Sequence, residues 1–177
     1  FSWRNTNDPW KILLIEIISQ QTQINRANTY YQIFIKKFPT PESMAKSSLK
    51  TILKMWSGLG YNNRAKRLYE SSKILAEQGF EGIYPKFERL PGVGAYTKNA
   101  ILSFAYGDSV LAVDTNLKRI IIRYFGIDNT KDYVRNYSNL LLENINSKDI
   151  NQAFMDLGSS ICTSSNVKCF ICPLEKN

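Results

Sequence analysis

Apolar residues recur three and four apart along most of this chain, and the rhythm breaks at proline and glycine. Asp8 is a candidate N-cap and Pro9 a helix-start residue. Ile12, Leu13, Leu14, Ile17 and Ile18 then form a broad apolar face, which predicts a helix over 9–25. Ala27, Tyr30, Tyr31, Phe34 and Phe38 carry a second helix over 26–38, stopped by Pro39 and Pro41, and a short helix is expected over 42–45. Ser47 or Ser48 can cap a helix through Leu49, Ile52, Leu53 and Trp56, ended by Gly58 and Gly60. Ala65, Leu68, Ser72, Ile74 and Leu75 give another over 62–78, before Gly79 and Gly82 break the chain. After Pro85 a short helix leads to Leu90. The turn Pro91-Gly92-Val93-Gly94 follows, then a helix over 95–106. Asp114 can cap a run through Leu117, Ile120, Ile121 and Tyr124. Residues 131–143 and 149–161 give the last two helices, and 162–177 has no helical period. Val110-Leu111-Ala112-Val113 is too short and isolated to build a sheet. The pattern predicts an all-α fold of about ten short helices, without a linker long enough to separate independent domains.

Composition narrows what such a fold does. The 177 residues are 44% apolar and 12% aromatic, enough for one compact domain or two small lobes. Lys and Arg total 23 against 15 Asp and Glu, a net charge of +8 that favours polyanions, of which nucleic acid is the commonest. Histidine is absent, which excludes Ser/His and Cys/His mechanisms and leaves acid–base work to carboxylates, lysine or tyrosine. No window reads as a secretory segment or a membrane span, so an intracellular setting is expected, cytoplasmic or nucleoid-associated, with no membrane partner. The chain opens on Phe1-Ser2-Trp3-Arg4 and stops just after a cysteine-rich segment, so both ends read as trimmed.

Leu90-Pro91-Gly92-Val93-Gly94 joins two helices through a turn with two glycines. Glycine allows the tight path and removes the side chain that would hold a phosphate away. The next helix opens with unpaired N–H groups that suit a phosphate oxygen. Val93 can lock the turn to the core, and Lys98, one turn on, can add a phosphate contact. A plain αα-corner with a glycine cap gives the same pattern. This segment resembles the helix-hairpin-helix (HhH-GPD) DNA glycosylase superfamily, which includes endonuclease III, the adenine glycosylases of the MutY branch and the archaeal thymine-mismatch glycosylase. The resemblance runs from Trp3 to the cysteines. It implies a six-helix bundle lobe over 9–109 and a second lobe made of 1–8 and 110–177, with DNA across the groove.

Cleaving an N-glycosidic bond requires protonation of the leaving base and stabilisation of positive charge on the sugar. Two carboxylates in unlike environments can divide that work. Asp114 sits at an expected helix N-terminus, where N–H groups and the dipole keep it ionised. Glu16, among Leu13, Leu14, Ile15, Ile17 and Ile18, can gain a raised pKa by desolvation. On the residues alone Asp114 is equally an N-cap, and Glu16 can lie on a wet helix face. The resemblance assigns both to catalysis. Leu14-Ile15-Glu16-Ile17-Ile18-Ser19-Gln20-Gln21-Thr22-Gln23 is similar to the MutY segment with its catalytic glutamate, and Asp114, in Val113-Asp114-Thr115-Asn116-Leu117-Lys118-Arg119, matches the superfamily aspartate. Bifunctional members place a Schiff-base lysine two residues beyond the hairpin. Here Tyr96 stands there, which implies a monofunctional hydrolase. The thymine-mismatch branch shares that tyrosine, whereas bacterial MutY has serine.

The resemblance also implies how DNA is held. A glycosylase must flip its target base. Gln21, with Thr22 beside it, matches the side chain that fills the vacancy, and Tyr61 matches a second intercalating residue. These can equally be surface residues at a helix end and a turn. Arg64, Lys66 and Arg67 can meet the backbone or simply solvate a face. Leu90, Gly92, Val93, Gly94, Lys98 and Lys118 complete the expected DNA-binding set. Trp3, Arg4 and Gln152 match the base pocket, a glutamine amide being complementary to N7 and N6 of adenine; Gln152 also reads as a helix-surface amide. The expected partner is double-stranded DNA containing a mismatch or lesion, bound by a monomer.

Cys162-x6-Cys169-x2-Cys172 reads as metal ligation rather than a disulfide framework, with Lys168 free to face a phosphate. The superfamily spacing, Cys-x6-Cys-x2-Cys-x5-Cys, places a fourth ligand directly after Asn177. Four thiolates suit a [4Fe–4S] cluster, and a tetrahedral zinc satisfies the same count; the resemblance implies iron–sulfur in a structural role. The expected activity is excision of adenine opposite guanine or 8-oxoguanine. Removal of thymine or uracil opposite guanine is the alternative, and a non-catalytic, structure-specific DNA-binding module is a third reading. The C-terminal domain with which bacterial MutY recognises 8-oxoguanine has no counterpart in these residues.

Overall fold

The computed structural model describes residues 2–127, 141–143 and 145–175. Most of the helix expected over 131–143 lies outside them. Among the described residues every regular element is helical, as the pattern requires, and no strand forms. The chain divides into two compact units, Phe1–Tyr106 and Gly107–Asn177.

In the first unit α1 (Pro9–Ser19) is the central helix. Asp8 caps it, its carboxylate accepting from the N–H groups of Trp10 and Lys11 at 2.9 and 3.3 Å, with Pro9 in the first turn. Residues 12–18 are all buried, so the helix is apolar nearly all round, which is the mark of a core helix. It packs on α2 (Ile24–Lys37), α5 (Asn63–Ile83) and α6 (Ala95–Ile101). α2 buries Ala27, Tyr31 and Phe34, and Phe34 meets Trp56 of α4 (Leu49–Trp56) edge-on at 5.6 Å. α3 (Pro41–Ala45) begins with a reciprocal cap between Thr40 and Ser43. Ser48, not Ser47, caps α4. Gly79, at φ 68°, kinks α5 without ending it, and helical bonding resumes to Ile83. α6 widens into a π-turn over Leu102–Tyr106.

Two sequence expectations shift. α1 stops at Ser19, short of residue 25, because Gln21 takes a left-handed conformation. The short helix before Leu90 is a single 3-10 turn, Phe87–Arg89. The turn Ser2–Asn5 packs on α1 in the first unit.

The second unit pairs α7 (Thr115–Phe125) with α8 (Ser147–Ser160), capped by Asp114 and Asn146. Leu111, Leu117, Ile121 and Leu142 form its core. The extended segment 110–112 pairs with a side chain instead of a strand. Asn151, almost wholly buried, accepts from the N–H of Ala112 and donates to the carbonyl of Val110, both at 2.9 Å.

Candidate nucleic-acid interface

Glu16 lies in the last two turns of α1, buried at 7% exposure among Leu13, Leu14, Ile15, Ile17 and Ile18. A carboxyl so placed does not face open solvent. Trp3 and Arg4 are half-buried near the start of the unit, with the Arg4 guanidinium 5.6 Å from the Trp3 ring centroid. Tyr96 is half-buried in the first turn of α6.

The C-terminal end of α1 would leave carbonyls unpaired in a largely buried place. Arg64 pairs them. Its side chain is 7% exposed. Nη1 donates to the carbonyls of Ile17, Ile18 and Gln20 and to Oγ1 of Thr22, at 3.4 Å for Ile17, 2.9 Å for Ile18 and 3.0 Å for Thr22. Nη2 donates to the carbonyls of Leu59 and Gly60 at 3.0 and 3.2 Å. The guanidinium also lies 5.2 Å from the Trp56 ring centroid and 5.7 Å from that of Tyr61. Burial pulls its pKa below the ordinary arginine value. The sequence showed Arg64 only as one of three basic residues on a helix. Its acceptors lie more than forty positions away at α1, and no local period reports them.

Gln21 and Tyr61 therefore stand on either side of one buried cation. Both are exposed, Tyr61 at 66%, and both have left-handed backbones, with φ 53° and 47°. They share an open cavity with Gln20, Asn62, Arg64 and Arg67. The hairpin joins the same surface, because Gln20 Nε2 donates to the carbonyl of Gly92 at 3.3 Å. Ser71 Oγ donates to the carbonyl of Pro91 at 2.8 Å, while Leu90 and Val93 are buried. Gly92 has φ +86°, and a Cβ there would lie 3.2 Å from Cβ of Arg67. Gly94 N-caps α6 with open space at its Cα, which suits close approach of a phosphate. Lys98 is not solitary: Nζ is 3.0 Å from Glu88. Hydrogen bonding from its own backbone N–H, then from Lys98, holds the Glu88 carboxyl below its usual range.

In the second unit Asp114 is the N-cap of α7, with both carboxylate oxygens held by hydrogen bonds. Oδ1 accepts from Leu117 N–H at 2.7 Å and Oδ2 from Asn116 Nδ2 at 2.9 Å. Asn116 Oδ1 accepts from Arg119 Nη2 at 2.7 Å. Arg119 also donates to the carbonyls of Cys162 and Gly158 at 2.8 and 2.7 Å. Lys118 is exposed on α7, and Gln152 is half-buried on α8.

Cys162, buried, Cys169, exposed, and Cys172, half-buried, line one cavity of about 190 Å³ with Arg123, Leu157 and Ile161. Arg123 Nη1 donates to Cys162 Sγ at 3.4 Å and to the carbonyl of Thr163 at 2.6 Å. Soft sulfur donors on one cavity suit iron–sulfur or zinc in kind. As they stand, no three metal-ligating side chains among the described residues are close enough to hold an ion. Lys168 is exposed in this loop. No described helix is long and apolar enough to cross a membrane.

Residues 14–144 match the family model described as HhH-GPD superfamily base excision DNA repair protein. The chain is 40% identical, over 98% of its length and 51% of the relative's, to an adenine DNA glycosylase of Buchnera aphidicola subsp. Baizongia pistaciae. It is 34% identical to that of Mycolicibacterium smegmatis, over 98% of this chain and 62% of the relative. It thus spans about half the length of the curated relatives it matches first. Among solved structures, a thermostable thymine-DNA glycosylase superposes with TM-score 0.88 at 31% identity, covering 98% of this chain and 84% of that one. An endonuclease III in a non-covalent DNA complex gives TM-score 0.77 at 25% identity, over 94% and 80%. With a two-glycine turn between helices and a family match over most of its length, this chain belongs to the HhH-GPD superfamily of base excision DNA repair proteins.

Proposed function

We propose that this chain is a monofunctional DNA N-glycosylase that removes adenine mispaired with guanine or 8-oxoguanine. The observation that carries the reading is 40% identity to an adenine DNA glycosylase across nearly the whole chain. Burial of Glu16 supports its part as the acid, and hydrogen-bonded fixing of Asp114 supports its part as the partner carboxylate. In this mechanism a monomer binds mismatched duplex DNA and flips the adenine out. Glu16 gives its proton to a ring nitrogen of the departing base. The carbon–nitrogen bond breaks with its electron pair passing to that base. Asp114 stabilises the positive sugar and takes the proton released by the water whose oxygen bonds to C1′. Trp3, Arg4 and Gln152 hold the base, and Gly94, Lys98 and Lys118 hold the backbone. Tyr96 cannot form an imine, so no Schiff base arises.

A second reading, removal of thymine or uracil opposite guanine, is favoured by Tyr96 and by the likeness to the thymine-DNA glycosylase structure. Single-turnover excision from A·8-oxoG, A·G, T·G and U·G duplexes separates the two. The primary reading expects adenine to leave fastest and Gln152→Ala to slow adenine selectively. Faster pyrimidine release, indifferent to Gln152→Ala but sensitive to Tyr96→Ser, selects the second. Tight mismatch binding without any excision selects the non-catalytic module.

We further propose that Cys162, Cys169 and Cys172, with a fourth thiolate outside these residues, hold a [4Fe–4S] cluster. When bound it supplies structural support for the DNA-binding surface, and hydrolysis needs no electron from it.

A further inference from the structure

Gln21 and Tyr61 hold left-handed backbone conformations that are unfavourable for an ordinary residue. Neighbouring side chains fix both. In the loop before Tyr61, four consecutive carbonyls each accept from a side chain. Tyr30 Oη donates to Ser57 at 2.6 Å, Arg26 Nη2 to Gly58, Arg64 to Leu59 and Gly60, and Trp56 Nε1 to Gly60 at 3.0 Å. Gly58 is packed so closely that a Cβ would lie 2.7 Å from Tyr30 Oη. On the other side, Arg64 holds the carbonyls of Ile17, Ile18 and Gln20 together with Thr22 Oγ1. The two terminal nitrogens of one guanidinium thus serve two different loops, Nη1 the Gln21 loop and Nη2 the Tyr61 loop. No anionic side chain is ion-paired with this buried cation among the described residues, so backbone dipoles and two ring faces stabilise it instead.

We propose that Arg64 is a positioning residue that sets Gln21 and Tyr61 as a pre-formed pair of insertion side chains before DNA arrives. The proposal rests on the reading that these two side chains enter the duplex. Pre-setting both removes the ordering cost that two free loops would incur at the moment of base flipping. A lysine keeps the charge but presents one nitrogen, and cannot bridge acceptors on both loops.

The test uses an A·8-oxoG duplex with 2-aminopurine beside the adenine, whose fluorescence rises when the base unstacks. Parent protein, Arg64→Lys and the double variant Gln21→Ala/Tyr61→Ala are compared for fluorescence, single-turnover excision and binding to fully paired duplex. Arg64→Lys should behave like the double variant. The fluorescence rise should be lost and excision should fall on the order of 100-fold, while binding to paired duplex changes less than about threefold. A purely structural role would lower all three signals in proportion to the folded fraction seen by circular dichroism, and would overturn the proposal. So would an Arg64→Lys protein matching the parent while the double variant fails. If the double variant also matches the parent, the insertion reading itself falls, and the proposal falls with it. Should Arg64→Lys not fold, Tyr30→Phe decides, because it removes only the exposed hydroxyl that holds the Ser57 carbonyl. It should reduce the fluorescence rise and excision together by about three- to tenfold, and no change overturns the proposal.

Discussion

Asp114 uses its two oxygens differently, Oδ1 to cap α7 and Oδ2 to accept from Asn116, and a single substitution can separate the cap from the catalytic part proposed for it. Asn at this position still caps α7 through its carbonyl oxygen. Its amide nitrogen, however, faces Asn116 Nδ2, which now donates to Asp114 and is committed by the Asn116–Arg119 bond. Two donors then oppose each other. Asp114→Asn should therefore lower stability by about 1 kcal/mol, retain mismatch binding, and lose nearly all excision. Thermal melts and single-turnover kinetics on the same sample check both halves. With the parent protein, borohydride should trap little covalent complex; trapping as efficient as that of a true lyase would count against hydrolysis. Glu88 offers a second test at this scale. Its carboxyl is held ionised at neutral pH and occupies Lys98. Glu88→Gln should release Lys98, tighten binding to duplex DNA, and steepen the slope of log K against log salt by about 0.9.

Among the elements, the hairpin turn separates folding from binding because its two glycines are needed for different reasons. Gly92 needs its positive φ and has Arg67 packed against it. Gly92→Ala should cost about 1–3 kcal/mol of stability. Gly94 has an ordinary φ of −90° and open space. Gly94→Ala should cost no more than about 1 kcal/mol but weaken duplex binding by keeping a phosphate away from the α6 N-terminus. Melting temperature and binding affinity should rank the two variants in opposite order. Helix positions, most caps and this hairpin were legible in the sequence because each is written in residues close together: a period, a Ser or Asp before it, a Gly after it. The early end of α1 was not legible. Gln20-Gln21-Thr22-Gln23 contains no helix breaker, and the chain leaves the helix there where Arg64, a residue of α5, holds its carbonyls. Asn116 and Arg119, which fix Asp114, were likewise visible only as neighbours in a motif, since the carbonyls of Gly158 and Cys162 that anchor Arg119 lie on α8 and beyond.

For the whole molecule, the loop at residues 162–175 is already tied to α7 by Arg119 and Arg123. Protein that carries the proposed fourth thiolate should be brown, with about four iron atoms per chain and broad absorbance in the visible. A colourless, iron-free and fully folded preparation would remove the cluster from the reading. The charge of +8 belongs to the same scale, and it makes any measured affinity meaningful only at a stated salt concentration. The segment Val110-Leu111-Ala112-Val113 has a consequence of a different kind. It is apolar, uncharged, extended, and rich in the residues that favour pairing with another strand. Asn151 presents it with a donor and an acceptor at the spacing of a neighbouring peptide, and so acts as a built-in plug for a sticky edge. Replacing Asn151 with leucine would remove two hydrogen bonds of about 1 kcal/mol each and leave that edge open for a second molecule. Light scattering during a slow thermal ramp should then rise earlier and depend more steeply on protein concentration than in the parent, so that this one buried amide governs how the protein fails when heated as well as how its second unit folds.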